Sequence, residues 1–370
     1  LPKVTQHYME GRGGDHREAH NVYGLLQAQA AYQALCNYQP QVRPFIVSRA
    51  GWAGLQRYAW TWTGDIECTW VAMRQTVATV VGLGLSGIPY SGPDIGGFQG
   101  NPSAELYLRW FQMSCFLTFC RSHCANNVEY RAPWTYGEPY LSIIREFLQL
   151  RYRLMPYLYT LAWEATQKGY PPVRPVFWCD SEDSALWDVE DAFLLGNALL
   201  VCPIFQEGAR EAELATPVAS RQVTLPKGRW YHFWDDTVLE GSQQISFDTP
   251  LEQMPLLVKA GSILPMVEDE TLMLHLYLPV EGASEGHIYN DAGDGYAEWR
   301  VDRLYMICHE NGLKVTREQQ GEYPFPYKSI QLHLHGAKFQ QAWVDDVEVA
   351  GSVNSLECAG FEKVFFKFLA

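Results

Sequence analysis

The stretch YAWTWTGDIECTW, residues 58–70, alternates aromatic and threonine side chains up to a Gly64–Asp65 corner, where a carboxylate stands among tryptophans. Gly-Asp is a common turn pair, and an acid there can cap a following helix. A carboxyl among apolar rings can also act as a proton donor and acceptor, because lost hydration raises its pKa. Three other short apolar runs end in polar residues. Residues 43–49 (RPFIVSR) end at Ser48–Arg49, and residues 86–92 lead into Gly92–Pro93–Asp94 and then Gly96–Gly97–Phe98. Residues 117–123 (LTFCRSH) end at Arg121–Ser122–His123. Singly, each has an ordinary use: Arg49 in a surface pair, Asp94 in a turn, His123 in a half-buried hydrogen bond. Four such ends in succession make a pattern that those uses do not explain. A cleft with carboxylates, an arginine, a histidine and aromatic walls suits glycoside hydrolysis. There one carboxyl protonates the leaving oxygen, and another attacks or stabilises the anomeric carbon.

The elements around these residues alternate. Residues 17–35, 70–85 and 103–116 have helical spacing, and 139–169 is a long helical pattern expected to break or bend near Pro156. The runs 43–49, 57–65, 86–92 and 117–123 lie between them as candidate strands. Strand–helix–strand alternation with short loops implies a parallel sheet, either barrel or open. In a parallel barrel the chemistry sits at the C-terminal ends of the strands, where Arg49, Asp65, Asp94 and His123 fall. Beyond Pro171–Pro172 strands dominate, separated by Gly, Pro and Asp turns, with enough chain for two β-sandwiches and a break near 266–272.

Composition bounds the function. The chain has 370 residues, 47% hydrophobic and 19% charged, which is enough for two or three packed domains. Its formal net charge of -14 argues against nucleic acid and against an anionic membrane surface as partners. Thirteen Trp and 21 Tyr suit either sugar stacking or a large packed enzyme. Nine cysteines, an odd number set in apolar runs, read as reduced and favour a cytoplasmic protein, with secretion left open. Cys120, His123 and Cys124 lack the second ligand pair that zinc would need, so no metal or other cofactor is expected. Asp291 and Asp294 in YNDAGDGYAEW raise calcium as a possibility, but a polar turn is the preferred reading. No run reaches the length of a membrane-spanning helix.

The motifs GGDHREAHNVYGLLQAQAAYQAL, RPFIVSRAGWAGLQRYAWTWTGDI and LGLSGIPYSGPDIGGFQGNPSAELYLRWFQMSCFLTFCRSH, in this order, resemble glycoside hydrolase family 31, the α-glucosidase family. The likeness covers residues 7–178 strongly. It extends more loosely through PLLVKAGSILPM and through LYLPVEG followed by YNDAGDGYAEW. The resemblance implies an α/β plus all-β chain: the second half of a (β/α)8 TIM-type barrel at 1–172, a proximal β-sandwich at 173–268 and a distal one at 269–370. It implies that Asp65 is the general acid/base, that Arg49, Asp94, Phe98 and His123 contact the reacting sugar, and that Trp62 lines its pocket. The substrate would be an oligosaccharide or α-glucoside, with α-glucose preferred.

The family retains configuration and uses an aspartate nucleophile from a W-x-D-M-N-E-P-like motif. No such run occurs here, and Asp15 lies in a segment that follows the nucleophile in the family. The expectation is therefore that the nucleophile and the first half of the barrel come from an N-terminal portion: a separate chain, a cleaved segment or residues outside this sequence. Transglucosidase, α-xylosidase and lyase relatives, and a non-catalytic carbohydrate-binding remnant, stand as alternatives. Around Asp65, Trp62 and also Trp60 or Trp70 are expected to supply the desolvation that raises its pKa.

Overall fold

A computed structural model describes residues 1–208, 218–280 and 282–369. Glu281, in the LYLPVEG motif, lies outside them. The N-terminal part, up to Lys168, carries the helices α1 (His16–Tyr38), α2 (Trp70–Leu85), α3 (Ala104–Ser114), α4 (Tyr140–Arg153) and α5 (Met155–Lys168). Asp15, Thr69 and Ser103 cap α1, α2 and α3, each accepting a backbone N–H of the first turn. The expected break in the long helical pattern falls at Leu154, with Pro156 in the first turn of α5, where its missing N–H costs nothing.

Four parallel segments run between these helices, but they are more weakly paired than the sequence suggests. Ser48 and Trp60 donate to the carbonyls of Trp60 and Ile46 (2.9 and 2.8 Å), and Thr61 and Thr63 donate to Tyr90 and Gly92 (both 3.1 Å). Phe119 donates to Ser91 (3.3 Å), and Ile95 donates to Arg121 (3.0 Å). The ladder reduces to isolated bridges such as Val47–Trp60 and Asp94–Arg121, so 43–49, 57–65, 86–92 and 117–123 are not continuous strands. Prolines explain part of this, since Pro44, Pro89 and Pro93 have no N–H to give. A side chain supplies part of the lost bonding: Thr118 Oγ1 accepts the Ser91 amide at 3.0 Å and donates to the carbonyls of Pro89 and Ser91. Gly92 is required by close approach, because a Cβ there would stand 2.0 Å from the Phe119 carbonyl oxygen.

The β-rich remainder forms two packed units. A six-stranded sheet runs in the order Val173–Arg174, Phe193–Leu195, Leu199–Val201, Leu256–Lys259, Arg229–His232, Val238–Glu240, beside the pair Val218–Leu225 and Gln243–Pro250. The second unit sets a four-stranded sheet (Ile263–Glu268, Thr271–Tyr277, Ser329–His335, Ser355–Cys358) against a six-stranded one running from Ala283–Asp291 to Val347–Val349. Its core of Leu274, Leu304, Leu332 and Phe366 is fully buried. The expected division at 268/269 falls inside the hairpin of Ile263–Glu268 and Thr271–Tyr277, both of whose strands belong to the second unit.

The helical part and the first β unit share one core, in which Trp110, Phe116 and Phe147 pack with Phe193 and Leu256. Arg109, fully buried on α3, donates to the carbonyls of Gln253 (2.8 Å) and Pro250 (3.1 Å). A buried guanidinium is costly, and these carbonyls together with Glu105, 3.7 Å from its Nε, offset that cost.

Candidate functional site

Period-2 alternation along the four parallel segments places Phe45, Trp60, Tyr90 and Phe119 on one face as a layer. Trp60 stacks on Tyr90 at 4.8 Å and meets Phe45 and Phe119 edge-on at 5.5 and 6.1 Å. Nearer the C-terminal ends lie Trp62 and Arg121, then Arg49, Asp94 and His123. The sequence therefore builds an aromatic floor under a polar rim. Arg151 of α4 fixes the start of the fourth segment by donating to the carbonyls of Cys115 and Leu117, both at 2.7 Å.

Asp94 is fully buried, and its Oδ1 accepts from both Nε (3.1 Å) and Nη2 of Arg121. Its Oδ2 is buried without a partner. Burial pushes the Asp94 carboxyl up. The Arg121 hydrogen bonds and charge and His123 oppose that shift, and the Asp65 charge adds to it. Asp94, Asp65, His123 and Arg121 thus share one electrostatic environment. The Arg121 guanidinium also lies 5.1 Å from the Trp62 ring and 5.2 Å from Phe119. Arg121 is a candidate site residue that sequence reasoning left without a role. The signal for it was present, since it sits two positions before His123 and so shares its face.

Asp65 stands at the end of the second segment, 3.8 Å from Arg49 Nε, with 45% of its side chain exposed. The expected desolvation is not delivered by these residues. Trp60 is committed to the aromatic floor, and Trp70 opens α2 and packs on the main core. Trp62 is the aromatic that stays at the rim, with its indole Nε1 buried and unpartnered. Phe98 lies against His123 at 5.5 Å. The turn carrying Phe98 bonds to the Asp65 loop: Phe98 and Gln99 donate to the Ile66 carbonyl (2.7 and 3.1 Å), and Cys68 donates to Gln99 (3.0 Å). Gly97 is needed there, with φ of +80° and a hypothetical Cβ only 2.6 Å from the Glu67 oxygen.

Residues set aside from the sequence have structural work. Asp15 caps α1 and pairs with Arg17. Asp291 is held by Arg43 (2.6 Å), Tyr159 (2.6 Å), Tyr289 (2.8 Å) and the Gly293 amide (2.7 Å), and Asp294 accepts the Arg43 amide (2.8 Å). The acids of DAGDG therefore form a turn that grips Arg43, and calcium has no open oxygen of Asp291 to take. Among the described residues, all nine cysteines are free and no group of three donors could hold a metal ion.

The model of the glycosyl hydrolase family 31 TIM-barrel domain matches residues 2–161, and that of the family's C-terminal domain matches 169–264. Together they take in more than half of the sequence. The chain belongs to glycosyl hydrolase family 31. Alpha-glucosidase 2 of Bacillus thermoamyloliquefaciens is 34% identical over 356 residues, 92% of this chain and 44% of that protein. Mouse neutral alpha-glucosidase C is 31% identical over 354 residues, 91% of this chain and 39% of that protein. A Flavobacterium johnsoniae family 31 dextranase solved with isomaltotriose superposes with a TM-score of 0.86 at 25% identity, covering 96% of this chain and 50% of that one. A Xanthomonas citri α-xylosidase gives 0.80 at 28%, covering 96% and 40%. This family 31 chain spans less than half the length of those two curated relatives. No helix among its described residues is long and apolar enough to cross a membrane.

Proposed function

We propose that this chain carries the acid/base half of a retaining α-glycosidase that releases terminal α-linked glucose from oligosaccharides. Asp65 protonates the departing glycosidic oxygen and later deprotonates the attacking water. The observation that carries this reading is the convergence of Asp65, Arg49, Trp62, Asp94, Phe98 and His123 at one end of four parallel segments. The unpartnered Oδ2 of buried Asp94 is an acceptor waiting for a sugar hydroxyl, and the exposed Arg49 and His123 supply donors around it. Such a site binds a neutral, hydroxyl-rich ring, with Trp62 and Phe98 as its apolar walls.

The nucleophile in this reading is an aspartate from outside these 370 residues, brought about 5–5.5 Å from Asp65 when the barrel is complete. Asp94 does not suit that role, since Arg121 occupies one of its oxygens and the carboxyl is fully buried. The test is made on the full-length protein with Asp65→Ala. Turnover of maltose, a poor leaving group, is expected to vanish, while an activated aryl α-glucoside that needs no proton keeps part of its rate. Equal loss on both would reduce Asp65 to a structural turn residue. Parallel assays with α-xylosides separate the glucosidase from the xylosidase reading.

A further inference from the structure

Arg131 lies in the loop after the fourth segment, outside every motif that marks the site, and is 5% exposed. Its Nη1 donates to the Gly97 carbonyl and its Nη2 to the Gly100 carbonyl. Its stem lies over Gly96, where an added Cβ would meet Arg131 Cδ at 3.2 Å. Its own carbonyl accepts from Ser122 Oγ at 2.6 Å, and Ser122 adjoins His123. The guanidinium therefore grips both ends of the 97–100 turn, which presents Phe98. That turn in turn holds the acid/base loop through the bonds from Phe98 and Gln99 to Ile66 and from Cys68 to Gln99. The Ala125 amide closes the set by donating to the Phe98 carbonyl at 3.1 Å.

Resting on the reading of Asp65 as acid/base, we propose that Arg131 is a positioning residue that sets the Asp65 loop against the sugar-binding residues Phe98 and His123. Burying a cation is costly, and main-chain carbonyls repay it only when both ends of the fork are used. A turn with two successive glycines at φ of +82° and +80° has little stiffness of its own. The planar fork of an arginine can bridge two carbonyls that a lysine reaches one at a time. Without it, the 97–100 turn relaxes, and Asp65 moves away from the glycosidic oxygen although no group that touches substrate has changed.

The experiment compares Arg131→Met and Arg131→Lys with the parent in the full-length protein, on maltose and on 4-nitrophenyl α-glucoside. The expected result is a fall in maltose kcat of about 10–100-fold, as misplacement of a reacting group by an ångström produces. The fall on the nitrophenyl substrate is expected to be markedly smaller, with KM little changed on both. Proportional loss on both substrates, or a lowered melting temperature with unchanged kcat per folded molecule, overturns the proposal. Should Arg131→Met fail to fold, Arg131→Lys keeps the charge and carries the same comparison. If the parent acts on neither substrate, the proposed function fails first. Arg131 is then judged by backbone amide shifts in Arg131→Lys: changes in both 97–100 and 66–68 support positioning, and changes confined to the neighbours of residue 131 overturn it.

Discussion

At the scale of single residues, the pair of Asp94 and Arg121 carries the most consequence. Asp94 has no exposure, so its charge is bearable only while Arg121 satisfies it. Arg121→Gln is expected to destabilise the protein by about 3 kcal/mol, a loss that chemical denaturation will read, because it strands a buried carboxylate. It should also loosen Trp62, whose face the guanidinium covers. Asp94→Asn removes the charge along with part of the pairing, so it should cost less stability than Arg121→Gln while weakening sugar binding. If Arg121→Gln melts like the parent, the ion pair does not hold the rim.

Among the elements, the parallel segments are held by few hydrogen bonds, so the positions where they touch matter. Gly92 is the sharpest of these. A methyl group there would overlap the Phe119 carbonyl, which is backbone and cannot swing aside. Gly92→Ala is therefore expected to push the third and fourth segments apart and to cost about 2 kcal/mol or more. Because Asp94 and Arg121 sit on those two segments, the same variant should lose sugar affinity beyond what its stability change explains. Equilibrium unfolding together with ligand titration checks both parts. Gly137, where an added Cβ meets nothing within 4 Å, serves as a control for that clash, although its φ of +65° carries a smaller backbone penalty.

For the whole molecule, Leu264, Met266 and Met273 of the second β unit pack into the core shared with the helices, and two polar contacts stand out among those that tie it to the rest. Arg43, at the start of the first segment, is gripped by Asp291, Tyr159 and the Gly295 carbonyl. Burial alone would raise the Asp291 carboxyl, but hydrogen bonds from Tyr159, Arg43, the Gly293 amide and Tyr289 hold it below its ordinary range. The second contact is a chain from His275 Nδ1 to His335 Nε2 (2.9 Å) and from His335 Nδ1 to Asp236 Oδ1 (2.7 Å), with Tyr277 stacked on His335 at 4.0 Å. Burial, together with the His335, His333 and Arg153 charges, lowers His275 to about 3 against the pull of Asp236. A histidine neutral in the fold and ordinary when unfolded binds more protons in the unfolded chain. Its contribution is whole above about pH 6.5 and is lost as pH falls toward 3. The urea midpoint is therefore expected to decline between pH 6.5 and 4, and His275→Gln should flatten that decline. A midpoint constant across this range in the parent would refute the assignment. Assembly is read by gel filtration with intact mass. A complex larger than 42.2 kDa, or a longer chain, agrees with the nucleophile's coming from elsewhere, whereas an active monomer of that mass alone would exclude it.

Much of the candidate site was proposed from the sequence because its residue types are written locally. Asp94 and His123 share the parity of Tyr90 and Phe119, so period-2 alternation favours one face for them, whereas Asp65 lies off the parity of Trp60 and reaches the rim through the Gly64 turn, with φ of +82°. Helix positions were legible from their spacing, but the cap of α2 is Thr69 and not the acid at the Gly64–Asp65 corner. Tertiary structure decided what depends on distance through space. Prolines and carbonyl contacts thinned the expected strands to bridges, and the role of Arg121 appeared only once Asp94 lay beside it. Trp60 turned from a site wall into a floor because Phe45, Tyr90 and Phe119 surround it, and the acids of DAGDG became a grip on an arginine some 250 positions away. Alternation specifies which face a side chain takes, but which partner it meets there depends on neighbouring segments that no local spacing encodes.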